Sequence, residues 1–335
     1  MRSNLKNILV TGGAGFIGSA FIRYVLSGDL GVLKVINLDL LTYAGDLHNL
    51  TTVEKDPRYE FVLGDICDER IVESICKEHQ IDTIVHFAAE SHVDRSIEGP
   101  LSFSRTNIEG TIHLLEVVRR SPSIHFHHVS TDEVYGALGP TGAFSENSKI
   151  EPNSPYAASK AASDHFVRAY ANTYGLSTTI SHCSNNYGPC QNSEKFIPRM
   201  LMSLIEKKPL PVYGKGLNVR DWLYVDDHVE ALWLILQKGR RGEVYDIGGG
   251  FESPNIDIVH MLIEQYCRLT KEDKQELVDL ITYVQDRLGH DFRYSIDASK
   301  ICRELGWSPR HTFAEGLSKT IQWYLTNKLA AKCGS

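Results

Sequence analysis

Asn7–Gly18, NILVTGGAGFIG, is a short apolar strand that runs directly into glycines at 12, 15 and 18. A helical pattern follows, with Ile17, Phe21, Tyr24 and Val25 on one face before Gly28. In a strand–turn–helix unit the three glycines have separate uses. One permits the tight turn, one lets the backbone approach a pyrophosphate, and one lets helix and strand pack closely. The helix start then offers unpaired N–H groups and a partial positive charge to an anion. A glycine triplet alone is also what a plain turn carries. The second strand separates the two readings: Val35–Asp39 (VINLD) ends on an acid about 21 residues after Gly18, where a carboxylate bonds the ribose hydroxyls of adenosine. Asp39 would repel a 2′-phosphate, and LDLLTYAG contains no Arg or Lys. NAD is expected as cofactor, rather than NADP.

Outward from this unit, Glu60–Leu63, Thr83–Ala88, His125–Thr131 and Ser177–Cys183 read as further strands. Several are nearly continuous apolar runs, as in parallel strands covered on both faces. Helical spacing lies between them, over about Leu101–Arg120 and again from Tyr156. This alternation predicts an α/β fold, a doubly wound parallel Rossmann sheet. After Asn186 the rhythm breaks into loops rich in Pro, Gly and Asn. It resumes with an Asp226–Gln237 helix and a Glu243–Ile247 strand, and the chain closes on an amphipathic helix over about Phe313–Thr326. The expectation is an NAD-binding domain from residues 1–187 and 222–249, with a smaller, interleaved C-terminal substrate lobe from 188–221 and 250–335.

Composition limits the partners. The 335 residues suit two domains at roughly 150 each, and 42% apolar with 23% charged residues describes an ordinary globular chain. The formal net charge of −7 leaves no basic field for a nucleic acid. Seven cysteines, odd in number and never spaced C-x-x-C, argue against a disulfide framework and a thiolate zinc site, and for a reducing compartment. MRSNLKNILV leaves no room for a signal peptide, and no apolar stretch approaches the roughly 18 residues of a membrane span. A soluble cytoplasmic protein is expected.

The chemistry follows the strand ends. Asp65 and Ile66 come after the third strand, where an acid and an amide can hold adenine. Ala88, Ala89, Ser91 and His92 come after the fourth, where small residues permit close approach. In SPYAASKA, Tyr156 and Lys160 are four apart on a helix that starts at Pro155, so they share a face. A free tyrosine has a pKa of about 10; a neighbouring ammonium favours the phenolate and makes it a base. The competing reading is a half-exposed Tyr and a solvated Lys. The strand before them ends in Ser130-Thr131, followed by Asp132 and Glu133. Adjacent acids in a regular strand point to opposite faces, but where the chain turns both can face one pocket. There, one carboxylate can take a proton while one protonated carboxyl gives one. A helix N-cap is the alternative use of these acids. His125, His127 and His128 alternate along a strand without a third-side ligand, so no metal is assigned.

The combination TGGAGFIG, DLLTYAG, GDI, AAESHVDRS, NIEGT, VSTDEVYG, SPYAASKA, SNNYGP, NVRDWLYVDD and DRLGHD closely resembles the dTDP-glucose 4,6-dehydratase family of extended short-chain dehydrogenases/reductases, from about Asn7 to about Asn327. The resemblance implies Thr131 as a substrate hydroxyl partner, Asp132 as acid, Glu133 as base, Tyr156 as oxidation base and Lys160 as its electrostatic partner. It implies NAD contacts at Gly12, Gly15, Phe16, Ile17, Gly18, Asp39, Leu40, Leu41, Thr42, Asp65, Ile66, Ala88, Ala89, Ser91, Thr106 and Asn186, as well as at Tyr156 and Lys160. It implies nucleotide-sugar contacts at His92, Thr131, Asn185, Lys195, Phe196, Pro211, Tyr213, Arg220, Asn255, Asp286 and His290. Arg220 also makes sense as a diphosphate clamp, against a surface arginine paired with Asp221. Three positions depart from the pattern: Leu288 stands for a proline, Asp246 for an asparagine and His182 for an arginine.

The activity so implied is conversion of dTDP-glucose to the 4-keto-6-deoxy sugar with NAD used catalytically; a UDP- or CDP-glucose substrate stays open. A nucleotide-sugar 4-epimerase would share Tyr156 and Lys160 but needs no paired acids after Thr131. A non-catalytic NAD-binding module would need no proton-transfer set. A homodimer is implied by the family, and Ile108, Ile112, Leu114, Leu115 and Val118 lie on more than one face of their helix, as either deep burial or a partner requires.

Overall fold

The computed structural model of the chain describes residues 5–286 and 289–333. Its strands, in chain order, are β1 (Asn7–Thr11), β2 (Lys34–Asp39), β3 (Tyr59–Leu63), β4 (Thr83–His86), β5 (His125–Thr131), β6 (Thr178–Cys183), β7 (Asn185–Tyr187), β8 (Leu210–Tyr213), β9 (Val219–Tyr224), β10 (Val244–Ile247), β11 (Glu252–Pro254) and β12 (Ile281–Val284). The apolar runs become the interior of a seven-stranded parallel sheet in the order β10-β6-β5-β4-β1-β2-β3. The strand order reverses between β1 and β4, so the connections leave in opposite directions and open a crevice at the carboxyl ends. A doubly wound α/β sheet is what the alternation predicted.

Helices cover both faces, which is why these strands carry apolar side chains at successive positions. Phe21, Val25, Val229, Leu232 and Trp233 pack on one side; Leu114, Leu115, Val118 and Val167 pack on the other. A separate cluster of Tyr187, Leu201, Leu204, Trp222, Leu262, Phe313 and Leu317 fills the body around two smaller sheets. One is ordered β11-β9-β7 and the other β12-β8.

The expected Leu101–Arg120 helix is not continuous. A short helix Pro100–Phe103 passes into a π-helical turn, Ser104–Glu109, before the regular helix Gly110–Arg120. The widened turn holds Thr106 and the buried Asn107, whose amide bonds both backbone groups of Glu90 and the Ser159 hydroxyl at 2.8–3.0 Å. At its end a Cβ on Gly110 would lie 2.4 Å from Ile66 Cδ1, so glycine permits the close packing there. Such π-turns concentrate at functional sites. Here the bulge ties the loop after β4 to the helix Pro155–Tyr174. Leu114, Leu115 and Val118 are buried, while Ile108 and Ile112 are half-buried. The departure at Leu288 lies outside the described residues.

Candidate active site

The first cavity, about 300 Å³, opens at the carboxyl ends of β1–β6. Its floor is backbone. Gly12 has φ +72°, and a Cβ there would come within 2.5 Å of the Ala88 amide nitrogen; a Cβ on Gly18 would lie 2.3 Å from the Gly12 carbonyl. Side chains would therefore fill the cradle that the helix Phe16–Leu26 points into, its start carrying no side-chain cap. Asp39 is buried at the far edge and accepts from the Ala14 and Leu41 amides at 2.9 and 2.8 Å, which fixes the carboxylate in the crevice. Lys160 and Lys195 are the lining cations, and no arginine is among the described lining residues. Glycine cradle, helix start and fixed acid together fit a dinucleotide without a 2′-phosphate.

Gly12, Gly15, Phe16, Ile17, Gly18, Asp39, Leu40, Thr42, Asp65, Ile66, Ala88, Ala89, Ser91, Thr106, Tyr156, Lys160 and Asn186 all line this cavity. Leu41 does not. At φ 52°, it contributes its amide to Asp39 and its side chain is no part of the wall. Sequence reasoning missed the opposite side. The loop at Tyr43 is fastened by Asn192 Nδ2 to the Tyr43 carbonyl (3.2 Å), and the Arg95 guanidinium lies 4.1 Å over the Tyr43 ring while pairing with Glu194. The local signal was only AAESHVDRS and QNSEK, which carries no spacing rule.

At the end of β5 the chain turns. Thr131, not either acid, caps the 3₁₀ turn Asp132–Tyr135, its hydroxyl accepting from the Glu133 amide at 3.3 Å. Both acids are thereby free of the capping role and both face the cavity. Asp132 is 2% exposed; burial pushes its carboxyl well above the usual carboxylate range, and the Glu133 and Asp221 carboxylates add to this. Asp132 Oδ1 accepts from the Thr131 hydroxyl at 3.3 Å, and Oδ2 has no hydrogen-bond partner within the described protein.

Tyr156 and Lys160 are both buried on one face of the helix Pro155–Tyr174, which starts at the Ser154 cap. The half-exposed, solvated reading of the pair is overturned. The expected lowering of the Tyr156 pKa is also not what the protein alone produces: burial and the Glu133 carboxylate push the phenol up, against a hydrogen bond from Thr131. Lys160 Nζ donates to the Val129 carbonyl at 2.9 Å, and burial brings its pKa down to about 8. The pair is desolvated more strongly than its spacing alone conveys.

A second cavity of about 160 Å³ adjoins the first, sharing His92, Glu133, Asn185, Glu194 and Lys195 as common wall. Phe196, Pro211, Tyr213, Arg220, Asn255 and His290 line it. Thr131 belongs to the first cavity, and Asp286 stands behind His290, hydrogen-bonded to Nδ1 at 2.6 Å. Arg220 is not a surface arginine paired with Asp221. It is 8% exposed, its guanidinium lies 4.4 Å over the Tyr294 ring and bonds the Val219 and Asp291 carbonyls; the Asp221 carboxylate instead accepts from the Gly249 and Phe251 amides. Arg199, Asp291 and Tyr294 also line this cavity; Asp291 closes the DRLGHD run, but none of the three was assigned a contact from the sequence. Of the strand histidines, His125 and His127 bond Ser177, Thr179 and Ser181 across β5 and β6.

This arrangement can be set against known proteins. Residues 9–320 match the family model described as GDP-mannose 4,6 dehydratase. A dTDP-glucose 4,6-dehydratase of Xanthomonas campestris pv. campestris is 51% identical over 332 residues, covering 96% of this chain and 93% of that one. The chain belongs to the dTDP-glucose 4,6-dehydratase family. A dTDP-glucose 4,6-dehydratase of Escherichia coli is 50% identical over 96% of this chain and 94% of its own. The crystal structure of the family member DesIV from Streptomyces venezuelae, solved with NAD and dTDP bound, is 48% identical and superposes with a TM-score of 0.91 over 97% of this chain and 98% of that one. The superposition runs over nearly the whole chain, so the described architecture is that of this family member.

Proposed function

We propose that this protein is an NAD-dependent dTDP-glucose 4,6-dehydratase, a hydro-lyase that makes dTDP-4-keto-6-deoxyglucose and water. The observation that carries the reading is the acid pair: a buried Asp132, whose carboxyl is pushed towards its protonated form, and a half-buried Glu133 face the same cavity as Tyr156 and Lys160. An epimerase needs only the last two. Relatives about half identical over nearly the whole length bear the dTDP-glucose name, which favours that nucleotide over UDP or CDP.

Gly12, Gly15, Gly18, Asp39, Asp65, Ile66 and Thr106 would hold the dinucleotide, with Lys160 on the nicotinamide ribose. NAD, when bound, supplies a two-electron acceptor that takes hydrogen from C4 and gives it back at C6. The protein's residues handle the protons. Tyr156 accepts the C4 hydroxyl proton, and the Lys160 ammonium and the cofactor's charge offset the burial and the Glu133 carboxylate that otherwise keep the phenol protonated. The C4 ketone acidifies C5, from which Glu133 takes a proton while Asp132 protonates the departing C6 hydroxyl as water. Glu133 then returns its proton to C5. Tyr156 is left with one proton more than at the start and Asp132 with one fewer, and the Thr131 hydroxyl, bonded to Asp132 and acting on Tyr156, is the carrier between them.

Arg220 would clamp the diphosphate, and the segments 188–221 and 250–335 would form the lobe that holds the nucleotide. We further propose a homodimer through the face on which Leu101 is 83% exposed beside Ile97, testable by sedimentation at low concentration. Cys67, Cys76, Cys183, Cys190, Cys267 and Cys302 are free thiols, in keeping with a reducing, cytoplasmic setting; no helix of the described residues is long and apolar enough to cross a membrane. Incubation with dTDP-glucose deuterated at C4 tests the central reading. Label is expected at C6 of the product; a product that keeps all its oxygens, or label lost to solvent, refutes it.

A further inference from the structure

Behind the cavity, Tyr156, Lys160 and Asp164 stand four residues apart on one helix face. Asp164 is buried, and its Oδ2 accepts from His182 Nε2 at 3.0 Å and from the Ser130 hydroxyl at 3.0 Å, while Oδ1 lies 3.4 Å from His128 Nε2. The other His182 nitrogen, Nδ1, is 3.1 Å from Asp246 Oδ1. Tyr135 closes the group, its hydroxyl 2.7 Å from that nitrogen and 2.9 Å from Asp246 Oδ1. Carboxylate oxygens stand against both ring nitrogens, so the ring carries a proton on each. Positions 182 and 246, two of the three departures from the family pattern, are therefore direct partners across β6 and β10.

A buried carboxylate takes a cation wherever one is in reach. Asp164 sits one helical turn from Lys160, the cation that the oxidation step uses. His182 offers it another. We propose that His182 is a positioning residue for oxidation: by engaging Asp164 it keeps that carboxylate from neutralising Lys160, whose ammonium then acts on Tyr156 and the cofactor ribose. This rests on the roles given above to Tyr156 and Lys160.

The electrostatics agree. Burial opposes charge on His182, but Asp164 and Asp246 outweigh it and hold its pKa up at about 10, so it stays charged where the enzyme works. Burial raises the Asp164 carboxyl, and His182 with His128 more than reverses that, leaving it well below the usual range. Other titratable groups face the cluster from every side. They are His86 on β4 and His128 on β5, both held neutral by burial, Cys183 on β6, Asp132, Glu133 and Tyr135 in the turn after β5, and Glu146, which accepts the Asp246 amide at 3.0 Å.

The test is the pH profile of kcat for His182→Gln in the full-length enzyme. Asp164, released, pairs with Lys160. The ammonium pKa then rises, and the neutralised ammonium favours the phenolate less. Both limbs of the profile should move up by about one pH unit, with kcat at neutral pH about tenfold lower and the KM for dTDP-glucose and the NAD content unchanged. Adding Asp164→Asn removes the competing carboxylate and should return the acidic limb to its place; His182→Arg with Asp246→Asn, which keeps the cation, should also restore it. A His182→Gln profile that overlays the wild type, or a shift that survives Asp164→Asn, overturns the inference. If His182→Gln does not fold, Asp164→Asn alone is read: because His182 already engages the carboxylate, its removal should leave the acidic limb in place, and an acidic limb that falls, as it would if Asp164 were already neutralising Lys160, overturns the inference. Failure of the underlying reading looks different, because Tyr156→Phe would then still oxidise substrate.

Discussion

The two cavities meet at Glu133 and Lys195 but are made of different material. The dinucleotide end is built from backbone: glycines whose missing side chains leave the room, a helix start, and one acid pinned by two amides. The end proposed for the sugar nucleotide is built from side chains on separate segments, Arg220 on β9, Asn255 just after β11 and His290 beyond β12. A site made of backbone must be contiguous in sequence, because only neighbouring residues can share one turn. A site made of side chains need not be. The first kind tolerates almost no substitution, whereas the second can be retuned one residue at a time.

Breaking the shared chemistry should give the largest effects. Tyr156→Phe is expected to lower turnover by about 10²–10⁴-fold and to abolish the near-ultraviolet absorbance of reduced cofactor in a single turnover; if that absorbance forms normally, Tyr156 is not the base. Glu133→Gln should reduce dehydration by about 10²-fold while reduced cofactor still accumulates on the enzyme, a signal that stopped-flow absorbance would resolve. The contrast between the two ends predicts opposite symptoms for the next pair. Gly12→Ala forces a Cβ onto the Ala88 backbone at a φ of +72° and should cost more than tenfold in NAD retention, measured on the purified protein. Arg220→Lys loses the planar fork and should raise the KM for dTDP-glucose about tenfold with NAD content unaltered. Loss of NAD in both variants would erase the distinction.

The smallest effect concerns stability. Burial raises the Asp221 carboxyl to about 6. A folded-state pKa above the unfolded value of about 3.9 means stability that is full below pH 4 and is lost as pH rises towards and through 6, amounting to about 3 kcal/mol. Thermal denaturation of Asp221→Asn should show a shallower decline in Tm between pH 5 and 7.5 than the wild type does. An unchanged slope would mean that other groups, the raised Asp132 among them, carry the whole dependence.

That asymmetry also governs what was legible in the sequence. β1 and β5 match their expected limits at both ends: β1 is an apolar run with polar edges, and β5, though rich in histidine, is buried along its whole length. Asp132 and Glu133 were readable as a pair because Thr131 ends a strand, yet that Thr131 and not an acid caps the following turn depends on a hydroxyl geometry no spacing encodes. The expected Leu101–Arg120 helix failed because helical periodicity averages over a π-turn, while Asn107 reveals one only through the atoms it clamps. Tyr294 and Asp291 went unassigned as cavity residues, and Arg220 kept a surface reading beside the diphosphate clamp, because their surroundings arrive from distant segments.

A single residue, Ser184, separates β6 from β7, so the chain passes from the seven-stranded sheet into the three-stranded one almost without a joint. Anyone grafting the sugar-recognition segments of one such enzyme onto the nucleotide scaffold of another would find no linker to cut at that seam. The crossover has to be placed upstream of Thr178 or downstream of Tyr187, so that β6 and β7 travel together with one parent.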